Sequence, residues 1–271
     1  MTIRSRTKLR RSYLFAPGNN DKLLGKVFGA GADAVVLDLE DAVPAAQKPK
    51  AREQVRQVLD GRESGPGPGV FVRINHPSTE WCADDVAAVT GFALTGMRIP
   101  KVNGVDEVER VADLLDRAEA GAGLERGAVP LICTIESAIG VMNLEKIARG
   151  RRVVGFAYGA SDLARDLGAE LTGDELETLY VRSRMVVVSA ALGLQPPIAS
   201  VQTDLADEER LRSTTLAARR LGFFGRSCIH PKQLPIVHEV FTPDPGRVSR
   251  AREIVQAYRE HVAAGSGSFS M

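Results

Sequence analysis

Short runs of branched and apolar residues alternate with longer stretches of helical periodicity along the whole chain, and this alternation restricts the fold more than any other feature. Eight runs have strand character: Ser12 to Ala16, Ala34 to Leu39, Val70 to Ile74, Met97 to Lys101, Pro130 to Ile135, Val153 to Tyr158, Ile198 to Gln202 and Phe224 to Ile229. Helical segments fall between them at Lys48 to Leu59, Asp106 to Glu119, Glu175 to Leu192 and Glu208 to Leu221; in the second, Val108, Val111, Ala112 and Leu115 form one apolar stripe. Eight strand–helix repeats in 271 residues point to an α/β fold built as a single closed parallel (β/α)8 TIM barrel. A doubly wound open sheet is the alternative. It needs fewer strands and usually an early glycine-rich nucleotide loop, and no G-x-G-x-x-G follows the first run.

The expected organisation is a flexible basic tail over 1–10, a barrel domain over 11–262 and a short flexible tail over 263–271. The first ten residues carry Arg4, Arg6, Lys8 and Arg10 but no apolar stretch of the secretory kind. The segment Gly61 to Gly69, rich in glycine and proline, reads as a loop leading into the third strand. A formal net charge of +1 suggests neither a nucleic-acid nor a membrane partner, and no stretch approaches the roughly twenty apolar residues that span a bilayer. Cys82, Cys133 and Cys228 lie far apart without metal-ligand spacing, which fits buried thiols in a reducing cytoplasm.

In such a barrel the working residues sit at the C-terminal ends of strands. Strand two ends in Asp38, Glu40 and Asp41, strand three in Arg73 and Asn75, strand four in Lys101 and strand five in Glu136; strand six leads to Ser161 and Asp162, and strand eight to His230. Side-chain alternation puts Asp38 and Glu40 on one face, with Leu39 and Asp41 on the other. Carboxylates crowded in a partly desolvated place need a cation or donors to stay ionised. Glu136 follows the apolar run Leu131 to Ile135, and neighbouring strand ends can bring Glu136 and Asp162 around a single ion. Two carboxylates with positions left for water and substrate suit Mg2+ better than zinc. Structural roles compete with each of these. One acid of the 38–41 group can cap the next helix and another can pair with Arg52. Asp162 can be a first-turn residue behind an N-cap Ser161, in a helix running to Leu167. Glu136 can be a buried partner of Arg73, itself there only to neutralise acids. Lys101 can be a solvated strand end, and His230 a helix-entry residue.

The segments Ser12-Tyr-Leu-Phe-Ala-Pro-Gly18, Gly31-Ala-Asp-Ala-Val-Val-Leu-Asp-Leu-Glu-Asp-Ala-Val43, Val72-Arg-Ile-Asn75, Ile135-Glu-Ser-Ala-Ile-Gly140, Ser161-Asp-Leu-Ala-Arg-Asp-Leu-Gly168 and Ser227-Cys-Ile-His-Pro231 carry a resemblance. In that order and spacing the chain resembles, over roughly residues 11 to 260, the citrate lyase beta-subunit group of the HpcH/HpaI aldolase family. The resemblance implies a Mg2+-dependent carbon–carbon lyase of the citryl-, malyl- or citramalyl-coenzyme A type, on a barrel that assembles as a homotrimer or hexamer. It makes Glu136 and Asp162 the metal ligands, with Glu136 also against the substrate. Arg73 then binds the keto-acid half, and Glu40 and Asp41 line the same pocket as catalytic candidates.

Cleaving a 3-hydroxyacyl thioester gives a 2-keto acid and a thioester enolate, and both halves develop negative charge. A metal and the two-pronged Arg73 suit that charge, while a carboxyl of the Glu40/Asp41 pair with a raised pKa suits the proton transfer. Two departures qualify the resemblance. Relatives with lyase chemistry continue into a C-terminal segment whose aspartate is thought to donate a proton in a neighbouring subunit's site. In this sequence no aspartate follows Asp244 and the last residues are Phe269-Ser-Met271, so impaired or redirected proton transfer is expected. Ser161 stands where many relatives have Glu, a change expected to alter only local hydrogen bonding. The rival expectations are an aldolase for free keto acids, and a partner-dependent citrate lyase beta-like subunit inactive alone. The acyl carrier, coenzyme A or an acyl-carrier protein, stays open.

Overall fold

The computed structural model describes residues 8–62, 65, 67–91 and 93–263. Its strands are β1 Ser12–Pro17, β2 Ala34–Asp38, β3 Gly69–Arg73, β4 Gly96–Ile99, β5 Leu131–Ile135, β6 Val153–Tyr158 and β7 Arg226–Cys228. All pair in parallel, in the order β6-β5-β4-β3-β2-β1-β7, so the last strand lies beside the first and the sheet curls. The helices are α1 Asp21–Val27, α2 Lys48–Asp60, α3 Cys82–Val89, α4 Val105–Gly121, α5 Ala138–Met142, α6 Leu144–Ala148, α7 Ala160–Leu167, α8 Leu179–Ala191, α9 Glu208–Leu221, α10 Leu234–Phe241 and α11 Pro245–Ala263.

Strand β2 shows why these residues make these elements. All five of its residues are buried, as expected for a parallel strand covered on both sides. Ala34 and Val36 join Tyr13, Phe71, Ile132, Ala157 and Ile198 in an inner cluster. Val35 and Leu37 belong to the outer cluster that includes Ala51, Val55 and Leu59 of α2. Truncating Leu37 to alanine would cost about 2–5 kcal/mol. Asp38 keeps the inward parity of Ala34 and Val36. The register aligns Asp38 with Arg73 and Arg73 with Arg98, which places three charged residues in one row across β2, β3 and β4.

The expectation of eight strands is met by seven. The run Ile198 to Gln202 makes two isolated bridges, Ile198 to Ala157 of β6 and Ala199 to Arg226 of β7, and so joins the two outer strands of the sheet. Pro196 and Pro197 precede it without backbone donors, which shortens the ladder. Beyond the bridges Ser200 Oγ accepts from Ala160 N at 3.1 Å, and Gln202 Nε2 donates to the carbonyls of Asp204 and Asp207 at 2.9 and 2.7 Å.

The expected helix from Glu175 begins as a 3-10 turn over Leu176–Thr178 before α8. Residues 1–7 and 264–271 of the two expected tails lie outside the described residues, as do 63, 64 and 66 of the 61–69 loop. Arg10, from the segment expected to be a tail, is buried, with its guanidinium 5.2 Å from the centre of the Phe71 ring. Among the described residues no helix is long and apolar enough to cross a membrane.

Candidate active site

Parallel strands deliver their last side chains to one end of the sheet, and that end encloses a cavity of about 620 Å3 lined by Phe15, Asp38, Arg73, Arg98, Glu136 and Asp162 among others. On one wall the chain turns directly after β2, because the Asp38 carboxylate accepts the amides of Glu40 at 3.0 Å and Ala42 at 3.2 Å. Arg73 grips Asp38 with both prongs, Nε to Oδ1 at 2.7 Å and Nη2 to Oδ2 at 2.6 Å. Its Nη1 lies 2.9 Å from Glu40 Oε2 and 3.7 Å from Asp41 Oδ2. Simple alternation put Asp41 on the face away from Asp38. The turn brings all three acids to one guanidinium instead.

The acid loop is held from behind. Buried Lys48 donates to the carbonyls of Leu39 and Glu40, both at 3.0 Å, and Asn75 Nδ2 donates to the Leu39 carbonyl at 3.0 Å. Asp85 in turn accepts from Asn75 Nδ2 at 2.6 Å and from Arg52 Nε at 2.9 Å. Arg52 therefore pairs with Asp84 and Asp85, not with the 38–41 acids. Asn75 supports the loop, a structural role that its strand-end position did not distinguish from a functional one.

Lys101 is not a solvated strand end. Its ammonium contacts the Glu40 carboxylate and lies 2.7 Å from Asp41 Oδ1. Its backbone adopts a left-handed φ of 50°, costly for a residue with a side chain. In that conformation its amide donates to Glu136 Oε1 at 2.7 Å. One residue thus ties the acid loop to Glu136. Burial pushes the Glu40 carboxyl above the usual carboxylate range despite Arg73 and Lys101. Burial also acts on Asp41, but hydrogen bonds from Lys101 and Glu40 outweigh it and hold Asp41 low. Neighbouring carboxyls pushed in opposite directions are suited to one holding a proton while the other stays ionised.

Glu136, just past β5, is also pushed up, first by burial and then by the charge of Asp162. Its Oε2 is pressed against the Gly159 backbone: a Cβ there would come within 2.3 Å of that oxygen. Glycine at this position leaves the room that the carboxylate occupies. The partner of Glu136 is the Lys101 amide, and among the described residues Arg73 forms no ion pair with it within 4.0 Å. Asp162 sits in the first turn of α7, whose N-cap is Gly159 rather than Ser161, and contacts the exposed Arg165 one turn on. Among the described residues no cluster of three or more His, Cys, Asp and Glu is placed to hold a metal. The donor set is a pair of acids, and a cation between them would offset both the burial and the repulsion that raise Glu136.

His230 is a helix-entry residue. Its Nδ1 accepts from Lys232 N at 3.1 Å, while its own backbone N–H donates to Gln233 Oε1 at 3.3 Å. The three cysteines are free and buried, with Cys82 and Cys228 pushed up to about 12 by burial, so they are poor nucleophiles. Sequence reasoning passed over Arg98. It is buried yet lines the cavity, donating from Nε to Thr134 Oγ1 and from Nη1 to Ser227 Oγ, both at 3.0 Å. The available signal was an arginine at an inward position of a strand otherwise made of Gly96, Met97 and Ile99.

The profile of the HpcH/HpaI aldolase/citrate lyase family matches residues 11–231. The chain belongs to that family. It is an enzyme of the citrate lyase beta kind, a carbon–carbon lyase in a family of coenzyme A ester lyases. It is 35% identical over 257 residues to a (3S)-malyl-CoA thioesterase of Cereibacter sphaeroides, covering 95% of this chain and 86% of that one. It is 34% identical over 265 residues to a citrate lyase subunit beta of Leuconostoc mesenteroides, covering 97% and 87%. Among solved structures it is similar to the protein CitE from Mycobacterium tuberculosis in complex with magnesium, acetoacetate and coenzyme A. That likeness has a TM-score of 0.76 at 29% identity and covers 97% of this chain and 91% of that one.

Proposed function

We propose that this family member is a Mg2+-dependent lyase that cleaves a short 3-hydroxyacyl coenzyme A thioester into a 2-keto acid and an acyl thioester. The observation that carries the reading is Glu136 and Asp162 lining one cavity, where Glu136 is pushed up first by burial and further by the charge of Asp162, and is lodged against Gly159. These two residues would hold the metal, which when bound supplies Lewis acidity to the keto-acid oxygens. The magnesium and coenzyme A in the similar CitE structure support the assignment. We read the scaffold as a (β/α)8 barrel closed through Ile198 and Ala199, working in the cytoplasm as a homotrimer or hexamer; the bridges on both sides of that segment support the closure and the three unpaired thiols the compartment.

The chain's own groups divide the remaining work. In the cleavage direction the hydroxyl loses its proton, the carbon–carbon bond breaks toward the thioester, and the enolate takes a proton at carbon. Asp41 lines this cavity while Glu40, expected in the same pocket, faces an adjoining cleft with Lys101, so we assign the proton to the Glu40/Asp41 pair, reached from the cavity through Asp41. Arg73 has Nε and Nη2 locked by Asp38 and Nη1 held 2.9 Å from Glu40 Oε2, so it acts as a fixed positive charge in the cavity wall as the keto acid forms.

A hydrolytic outcome is the second reading, because one relative is a thioesterase. The purified chain, incubated with Mg2+ and citryl-, malyl- or citramalyl-coenzyme A, distinguishes the two. Keto acid released without free thiol establishes the lyase. Free thiol without keto acid establishes the hydrolase, and neither product from any of the three thioesters refutes both.

A further inference from the structure

Arg98 is a buried cation that the fold leaves without a direct ion pair, with Glu136 and Asp38 acting on it only from a distance. Its side chain is buried, and among the described residues no carboxylate comes within 4.0 Å of it. Its hydrogen-bond partners are the neutral hydroxyls of Thr134 on β5 and Ser227 on β7, so the guanidinium reaches across the interior as a floor to the cavity. The neighbour in register on β3 is Arg73, another cation, whose own prongs are taken by Asp38. Both guanidiniums lie against the same ring, with Arg73 at 5.2 Å and Arg98 at 5.1 Å from the centre of Phe15. Burial and the charge of Arg73 lower Arg98 to about 10, which still leaves it charged at neutral pH. A buried charge without a direct partner is costly, and a fold that keeps one facing a cavity holds a place for an anion.

The height of that place is set by the strands. Thr134, which Arg98 touches, precedes Glu136 by two residues on the same face of the chain, a separation of about 6.6 Å at roughly 3.3 Å per residue. Arg98 therefore sits one same-face step of the strand below the acids of the mouth, where the far end of a bound acid can reach it.

Resting on the reading that Glu136 and Asp162 hold a metal-bound keto acid, we propose that Arg98 is a specificity residue that receives a second carboxylate of the substrate, so that the keto-acid product is a 2-oxo dicarboxylic acid. Pyruvate and glyoxylate have nothing to place against the floor. Arg73, already engaged by Asp38 and Glu40, contributes only its charge toward the mouth.

Calorimetric titration of the Mg2+-loaded protein with oxaloacetate and with pyruvate tests this. The wild-type chain should prefer oxaloacetate by about tenfold or more, the range of a charge-assisted contact. In Arg98→Met, which keeps length and apolar packing, the preference should collapse to near unity, and Arg98→Lys should keep part of it. Equal affinity of the wild-type chain for the two acids would overturn the proposal while leaving the metal-site reading intact. So would an undiminished preference in Arg98→Met. If neither acid binds to wild type with Mg2+ present, the metal-site reading falls and the inference with it.

Discussion

At the scale of single residues the site is decided by what each charged group is left free to do. Asp38 and Arg73 neutralise one another through two short hydrogen bonds, so their chemistry is mostly positional. Glu136 has one oxygen bound by the Lys101 amide and the other lodged against Gly159. A Gly159→Ala substitution would place a methyl within 2.3 Å of that oxygen and turn the carboxylate aside. Mg2+ affinity measured by calorimetry should then fall by about tenfold or more, as when a supporting group around a metal ligand is disturbed; unchanged affinity would mean that Glu136 is not a ligand. Glu136 was legible in the sequence because an acid that ends an apolar run is shielded from water and must be matched by a cation or a donor. Arg98 was not, because its parity depends on register and its partners are hydroxyls, which leave no charge pattern to read. The left-handed turn at Lys101 was equally invisible, since nothing in a Pro-Lys-Val segment announces a positive φ.

At the scale of elements, strand ends bring the site together and side-chain staples keep it there. The acid loop after β2 depends on Lys48 from the start of α2 and Asn75 just past β3, both donating to its carbonyls. The strand and helix periodicities foresaw six of the expected strands nearly residue for residue, but the run at Ile198 is reduced to two bridges where prolines remove donors. At the opposite end of the sheet Arg11, just before β1, holds Asp33, just before β2, through Nε at 2.8 Å and Nη2 at 2.8 Å. The hydrogen bonds from Arg11 pull Asp33 down to about 2, below its unfolded value of about 3.9. A depressed carboxyl stabilises the fold above the unfolded pKa and loses that contribution as pH falls through the folded one. Asp33→Asn should therefore cost about 1 kcal/mol at pH 7, after allowing for partial exposure of the pair, with the difference vanishing as pH approaches about 2. Urea titrations across that range measure it, and a pH-independent difference would show that the charge is not the source.

At the scale of the whole molecule, α11 is the element least explained by the isolated chain. None of its 19 residues is buried, and Ile254, Val255 and Val262 are 40%, 48% and 50% exposed. A second copy of the chain covering this face is the expected state, in keeping with the proposed homotrimer or hexamer, and Ile254→Glu should lower the mass seen by light scattering after size exclusion. A wild-type chain that is monomeric at micromolar concentration would refute that arrangement. The helices expected from the sequence end at Leu221, so both α11 and the surface that covers it went unforeseen. The central claim concerns the other end of the molecule, where two acids from adjacent strand ends are held to share one divalent ion. Mg2+ titration calorimetry on the wild-type chain, Glu136→Gln and Asp162→Asn, with melting curves recorded alongside, tests it most directly. One ion per wild-type chain, lost in both variants while each still melts cooperatively, is the expected result. Undiminished Mg2+ binding in either folded variant would contradict it.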